Sequence, residues 1–382
     1  MHMSLPPPQQ SVRKSLKACI RHFTWSWHTL VMGTGVVSTL VNRFYWGLGS
    51  DATKVLTLLL FFLNLLCFVL VCAATLARYI LFPEIWPAML RHPTQSMFIG
   101  GFPMGAATLI NIALVAHQSY GFSPRSGFLY ALWGFWWLDA LVSVAIAVGM
   151  LGVMIMRQHH SLGQLTALWI LPVVPCIVAS STGGLLASAL PSQSHVSLTT
   201  AVSMILLLIS LSLSMMMLTA LLLRLIIHGP PDTAFILSSF VPLGPMGQGG
   251  FSFLVTAQNL IQRDIHLGPF ISASAVSSVA FSAAWLLWSM GLVWLCVGLL
   301  LITSSVRRKR VPFSLGFWGM CFPSGVFTLL TVELGNVLES RTIHYLGAIF
   351  SSTLRVWVMG ILGGENSAGG VEDDDVRFSL RN

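Results

Sequence analysis

Long apolar segments alternate along the chain with short polar connections. A helix needs about 20 apolar residues to cross the hydrocarbon core of a bilayer, and ten segments reach that length. They are residues 24–43, 54–80, 94–117, 127–156, 166–189, 198–227, 238–260, 271–304, 313–334 and 342–363. The odd-numbered segments carry glycine- or proline-containing breaks, whereas the even-numbered segments are continuous. This alternation predicts an all-α polytopic membrane protein with ten transmembrane helices in five helical hairpin repeats.

The breaks recur at intervals of roughly 70 residues. Gly33, Thr34 and Gly35 mark the first break, and Pro103, Pro172, Pro242 and Pro323 mark the other four. Broken helices at membrane depth are tolerated where they are buried in protein or line a cavity. We therefore expect the five broken helices to surround a central pore, as in a transporter or a channel.

Composition excludes a soluble globular protein and gives no sign of catalysis. Hydrophobic residues make up 55% of the chain and charged residues only 8%, which is far more apolar than a soluble surface. The sequence has no zinc-hydrolase, serine-hydrolase, nucleotide-binding or dinucleotide-binding motif, and its cysteines lack metal-ligand spacing. We expect no enzyme activity, no cofactor, no metal site and no nucleic-acid partner.

Positive charge predicts the orientation of the chain. Lysine and arginine concentrate in the tails and in the loops on the N-terminal side, most densely in the run Arg307-Arg308-Lys309-Arg310. Because such residues mark cytoplasmic loops, both termini are expected in the cytoplasm. The predicted division is a cytoplasmic tail over residues 1–23, a transport domain over 24–363, and an acidic, disordered tail over 364–382.

Polar residues accompany the breaks. Thr34, Asn111 and Gln248 offer O–H and N–H donors that can solvate an anion weakly, and conduction requires weak binding. Small and polar residues also let membrane helices pack closely, so helix packing stays open as the alternative interpretation for each of them.

Three phenylalanines lie next to breaks, where a bulky ring can close a narrow pore by steric blockage and dewetting. Phe102 and Phe322 directly precede Pro103 and Pro323, and Phe251 follows the glycine-rich fourth break. Core packing is the competing interpretation, because the chain contains 23 phenylalanines.

Few ionisable residues fall inside the predicted spans, where a charge is costly unless it is paired or hydrated. Asp139 lies in the fourth span and Arg355 in the tenth, both on continuous helices. Either can modulate an ion path. We favour a buried brace between outer helices over proton coupling through Asp139.

Several separated motifs together resemble a known family. They are Met32-Gly33-Thr34-Gly35, His92-Pro93-Thr94-Gln95-Ser96, Phe102-Pro103-Met104-Gly105 with Asn111, Leu243-Gly244-Pro245-Met246-Gly247-Gln248-Gly249-Gly250-Phe251, and Phe317-Trp318-Gly319 with Phe322-Pro323. In this order they resemble the fungal sulfite efflux pumps of the tellurite-resistance/dicarboxylate transporter family, which is related to plant slow anion channels.

The resemblance implies five helical hairpins with the odd-numbered helices around a pore, and a phenylalanine gate that falls on Phe322. It also implies a homo-oligomer, usually a trimer, that exports sulfite or bisulfite across the plasma membrane, driven by the membrane potential. One departure is His28, where an aromatic residue is expected. His28 can titrate near neutral pH and modulate the path, although we favour a neutral histidine at the membrane interface.

Two other functions fit the same pattern. A malate carrier or a chloride or nitrate channel can use this fold, but two carboxylates are best held by paired arginine or lysine donors. The broken helices show no such pair in the sequence. A membrane sensor that binds an anion without transporting it is the second alternative, and the short acidic tail leaves it little room for an output domain.

Overall fold

A computed structural model of the chain describes residues 16–43, 50–121, 126–263, 265, 272–306 and 316–367. Within these ranges every regular element is helical and no strand occurs. The α-helices are α1 (Leu16–Arg21), α2 (His28–Asn42), α3 (Asp51–Leu81), α4 (Ile85–Arg91), α5 (Gly101–Tyr120), α6 (Ser126–Arg157), α7 (Val174–Ala189), α8 (Gln193–His228), α9 (Leu243–Gln262), α10 (Ala273–Val306), α11 (Gly316–Val337) and α12 (Arg341–Ser367). The predicted all-α class is confirmed.

Each of the ten predicted spans contains a long helix, but the helices differ in their capacity to cross a membrane alone. By length and composition, six segments suffice: Gln95–Tyr120, which ends in α5, together with α3, α6, α8, α10 and α11. α7 has only 16 residues. The chain is a multi-pass membrane protein, and the count of ten crossings stays a prediction.

Most of the predicted breaks are helix starts rather than interruptions. Short 3-10 segments, Gln95–Gly100, Ala167–Ile170 and Thr233–Phe240, precede α5, α7 and α9. Pro103 and Pro175 then lie in the first turns of α5 and α7. A first turn tolerates proline because its N–H groups have no partner within the helix. α2 is continuous, and in α11 Pro323 lies beyond the first turn, in the helix interior.

Five helices form a closed inner ring. In ring order they are α2, α5, α7, α9 and α11, each helix packs on the next, and α11 packs back on α2. The helix that follows each of them along the chain, namely α3, α6, α8, α10 or α12, packs against its outer side. Burial follows the same division, since 83% of the most apolar stretch of α11 is buried and only 17% of that of α3. The inner helices are the odd-numbered members of the predicted hairpins.

The outward faces of the outer helices are apolar. On α3, Leu59, Leu63, Leu66 and Leu70 are all at least half exposed, and Leu286, Val293 and Leu300 repeat the pattern on α10. A soluble protein rarely exposes so continuous an apolar surface. These faces therefore contact lipid.

Neighbouring inner helices approach closely where one of them carries glycine. At Gly35 of α2 an added Cβ would collide with the Thr108 side chain of α5. At Gly247 of α9 it would lie 2.5 Å from the backbone nitrogen of Phe327 in α11. These contacts draw the five helices into a tight ring and leave little open space along its axis.

The structure describes only part of each predicted tail. Residues 16–21 of the N-terminal tail form α1, and α12 continues through residues 364–367 of the predicted disordered tail. Residues 1–15, residues 368–382 and the run Arg307-Arg308-Lys309-Arg310 lie outside the described residues.

Candidate functional site

A cavity of about 30 Å³ lies within the ring and receives side chains from all five inner helices. Its lining consists of Val36, Thr39, Arg43, Thr108, Asn111, Val178, Leu185, Gln248, Phe251, Phe322, Val326 and Leu329. The volume has room for only a few water molecules. The cavity is therefore too small for a hydrated anion in this conformation.

Two aromatic rings form part of the cavity wall. Phe322 of α11 and Phe251 of α9 are each only 3% exposed, and both line the cavity. Pro323 follows Phe322 directly inside α11, where its ring removes a backbone hydrogen-bond donor. Phe322 therefore lies next to a position at which α11 lacks one backbone hydrogen bond.

Phe102 lies elsewhere. Its ring stacks on Phe68 of α3 with centroids 5.8 Å apart, and it meets the His28 ring edge-on at 5.7 Å. These contacts place Phe102 between α2, α3 and α5, away from the cavity lining. Pro103 is buried in the first turn of α5 and does not line the cavity either.

The first predicted break makes packing contacts. Thr34 Oγ1 donates to the Leu30 carbonyl at 2.9 Å and to the Asn64 side chain of α3. A Cβ added to Gly33 would lie 3.3 Å from Trp318 of α11. Gly33, Thr34 and Gly35 are absent from the cavity lining, so the packing interpretation describes their observed positions.

Asn111 and Gln248 both reach the cavity with amide groups. Gln248 is 4% exposed, and its Nε2 donates to Ser181 Oγ of α7. Within the described residues, Asn111 Oδ1 and Gln248 Oε1 are buried without a hydrogen-bond partner. Leaving such groups dry is costly. The lining of the cavity therefore combines apolar side chains with two amide residues whose oxygens lack a partner among the described residues.

An ion pair stands at one end of the cavity, and the sequence reasoning missed its role. Arg43 Nη1 donates to Glu333 Oε2 at 2.9 Å, and Gln258 Nε2 donates to Glu333 Oε1 at 2.6 Å. The Arg43 Cζ also lies 5.1 Å from the ring centroid of Phe251. One cationic group, Arg43, therefore reaches the cavity. The spacing of Val36, Thr39 and Arg43 by three and four residues places them on one helix face, and this spacing could have identified Arg43 from the sequence.

His28 is fully buried at the start of α2. Its ring packs on Trp25 with centroids 5.2 Å apart, and its Nε2 lies 3.5 Å from Thr75 Oγ1 of α3. The histidine therefore joins α2 to α3 on the outer side of α2. It does not line the cavity.

Asp139 and Arg355 both lie on outer helices and outside the cavity lining. Asp139 is buried one helical turn after Trp136, whose Nε1 donates to the Ala179 carbonyl of α7 at 2.7 Å. Arg355 is half-buried on α12. Their positions fit contacts between helices better than contacts with a conducted ion.

A second, smaller cavity of about 10 Å³ lies between α8, α10 and the connections that precede α7 and α9. Arg224 borders it, and its guanidinium donates to the Gly163 and Gly229 carbonyls. These hydrogen bonds link the connection before α7 to the connection before α9. The cavity is therefore a small gap in the packing rather than part of a path.

A closed ring of helices around a polar cavity, wrapped by lipid-facing helices, defines a polytopic membrane transport protein. The chain belongs to the SLAC1 family of voltage-dependent anion channels, whose family model matches residues 22–364. The resemblance inferred from the motifs is thereby confirmed.

Individual relatives narrow the comparison. The chain is 34% identical over 345 residues to the sulfite efflux pump SSU1 of Arthroderma benhamiae, covering 89% of each protein. It is 28% identical over 362 residues to the protein of the same name from Candida albicans, covering 87% of this chain and 71% of the relative. It is 22% identical over 355 residues to the malic acid transport protein of Schizosaccharomyces pombe, covering 89% of this chain and 77% of the relative.

Proposed function

We propose that the protein conducts sulfite or bisulfite out of the cytoplasm through the axis of the inner ring. The observation that carries this proposal is the cavity to which all five inner helices contribute, with neutral hydroxyl and amide groups and one arginine in its lining. Neutral donors bind an anion weakly enough to release it. The substrate is taken from the relatives named sulfite efflux pump.

The membrane potential supplies the driving force in this proposal. Moving one elementary charge across 100 mV is worth about 2.3 kcal/mol. A monoanion leaving an inside-negative cell gains this energy, which supports roughly a 50-fold concentration gradient. A passive conduit therefore suffices for export, and sulfite resistance follows from the lower internal concentration.

Phe322 is the gate in this proposal. It lies on the cavity wall beside Pro323, and the cavity next to it is too small for a hydrated anion. Phe251, on the neighbouring helix α9, lines the same cavity, and the Arg43 Cζ lies 5.1 Å from its ring centroid.

The setting of this conduit is also proposed. The protein lies in the plasma membrane with both termini in the cytoplasm, as the distribution of positive charge predicts. It assembles as a homotrimer, with a transport domain over residues 24–363 between two cytoplasmic tails. The lipid-facing surfaces of α3 and α10 surround each ring.

Malate transport is the second candidate, and Arg43 is the observation that favours it. A dicarboxylate is best held by paired cationic donors. The cavity lining contains one arginine, Arg43, and this arginine already forms an ion pair with Glu333. A singly charged inorganic anion fits this lining better.

Flux measurements test the proposal. The purified protein is reconstituted in liposomes, and efflux of sulfite, malate and chloride is compared under an imposed potential and its reverse, with protein-free liposomes as control. We expect potential-driven sulfite efflux that exceeds malate efflux. Malate-selective flux would favour the second candidate, and saturable sulfite binding without any flux would indicate a sensor.

A further inference from the structure

The C-terminal ends of the inner helices meet at one end of the ring. The Tyr120 hydroxyl at the end of α5 donates to Asn42 Oδ1 at the end of α2, 2.7 Å away. Arg263, which caps α9, donates to the Leu190 carbonyl after α7. Helix C-termini carry partial negative charge from their unpaired carbonyls. This end of the ring is therefore unfavourable for an anion unless a cation lies there.

Arg43 is that cation. It caps the C-terminus of α2 and is the one cationic side chain in the lining of the described cavity. Its guanidinium lies against the Phe251 ring, with Cζ 5.1 Å from the centroid, a cation–π distance that fixes the group at the cavity wall. An anion that moves along the axis meets this group where it leaves the cavity.

Glu333 is held in place independently of Arg43. One oxygen accepts from Gln258 Nε2 at 2.6 Å, and the other accepts from Asn336 Nδ2 at 3.3 Å as well as from Arg43. The carboxylate is buried, with its side chain only 10% exposed. It therefore keeps its position when Arg43 turns toward another partner.

The guanidinium has donors to spare. Arginine carries five N–H donors in a planar fork that matches an oxyanion. Among the described residues only Glu333 accepts from it, through Nη1. The other donors have no acceptor among the described residues, so Arg43 can bind an oxyanion more fully when it turns from Glu333 toward the cavity.

We infer that Arg43 is an oxyanion-binding residue at the exit of the path and that Glu333 competes with the anion for it. The pair then acts as an exchangeable contact: Arg43 turns from Glu333 to the anion at the exit site, and its return to Glu333 releases the anion. This inference rests on the proposed function, since it needs an anion that traverses the ring. It adds a site that neither the sequence motifs nor the phenylalanine gate includes.

Charge-neutralising variants distinguish this role from a structural brace. In reconstituted liposomes under a fixed potential, sulfite efflux is measured against internal sulfite concentration. We expect Arg43→Gln to raise the half-saturating concentration about tenfold, the loss typical of one charged hydrogen bond. We expect Glu333→Gln to lower it, because the competitor is removed. If the ion pair only stabilises the structure, both variants should instead reduce efflux.

Lys54→Gln is the matched control, because Lys54 belongs to an exposed ion pair with Asp51, 3.1 Å apart, away from the cavity. It should leave the half-saturating concentration unchanged. Arg43→Gln leaves a buried carboxylate without its cation, which can prevent folding. In that event Glu333→Gln is compared with the Arg43→Gln/Glu333→Gln double variant, which removes both charges.

The expected result of that comparison is a half-saturating concentration about tenfold lower in Glu333→Gln than in the double variant. Equal values would overturn the inference while leaving sulfite conduction intact. Absence of sulfite efflux from the wild-type protein would instead overturn the proposed function, and the inference with it.

Discussion

His92 fixes the start of the fifth helix through a single ring nitrogen. Its Nδ1 accepts hydrogen bonds from the backbone N–H groups of Thr94 and Gln95, each at 3.2 Å, in the turn that leads into α5. Partial burial lowers the pKa of the His92 imidazole below its ordinary value of 6.5. Protonation would convert this acceptor into a donor facing two other donors.

The direction of the pH effect follows from that shift. The folded-state pKa of His92 is depressed, so the unfolded chain binds the proton more readily. The stabilisation is complete above about pH 6.5 and is lost as pH falls toward the folded-state pKa. We expect His92→Asn, which keeps an acceptor but cannot titrate, to lose less stability than wild type between pH 7.5 and pH 5. Thermal unfolding at both pH values measures this, and parallel pH profiles would contradict it.

Residue positions were predictable where the side chain belongs to a regular helix face. Asn111, Gln248, Phe251 and Phe322 were all selected from the sequence, and all four line the cavity. Arg43 was not selected, because it lies at the boundary between a predicted span and a connection. Such boundaries are the least certain part of any prediction from periodicity.

At the scale of helices, glycine sets the distance between neighbours. The Cβ that alanine would add at Gly247 lies 2.5 Å from the backbone nitrogen of Phe327 and 2.6 Å from its Cα. Backbone atoms cannot rotate away, so α9 and α11 must separate. We expect Gly247→Ala to lower the free energy of unfolding by about 1–3 kcal/mol, as overpacking does. Thermal unfolding in detergent is the measurement.

Gly134→Ala on α6 provides the control for that change. An added Cβ at Gly134 has no atom within 4 Å among the described residues, so nothing needs to move. Its unfolding temperature should match that of the wild-type protein. Equal losses in the two variants would contradict the close approach of α9 to α11.

Proline positions show why helix starts were misplaced in the sequence. Pro103 and Pro175 looked like interruptions because apolar residues continue on both sides of them. In the structure the preceding residues form 3-10 turns, and the prolines occupy the first turns of α5 and α7. Hydropathy does not distinguish a 3-10 turn from an α-helical one, since both remain apolar at membrane depth. Of these three prolines, Pro323 alone lies beyond the first turn of its helix.

For the whole molecule, the closed ring depends on contacts that periodicity cannot show. α11 packs on α2 across nearly the full length of the chain, and Arg43 pairs with Glu333 at a separation of 290 residues. The repeated breaks predicted five equivalent hairpins around a pore, and the family resemblance implied the same arrangement. The alternation of inner and outer helices was predictable, because the broken members must be buried and the continuous ones can face lipid.

The central claim is that anions cross along the ring axis and that Phe322 closes this path. The most direct test compares sulfite current through wild type, Phe322→Ala and Phe102→Ala in reconstituted membranes at a fixed potential. Both variants remove one ring next to a proline, but only Phe322 lines the cavity. We expect a severalfold larger current in Phe322→Ala and a wild-type current in folded Phe102→Ala. A current that rises in Phe102→Ala, or stays unchanged in Phe322→Ala, would place the path outside the ring or the gate at another residue.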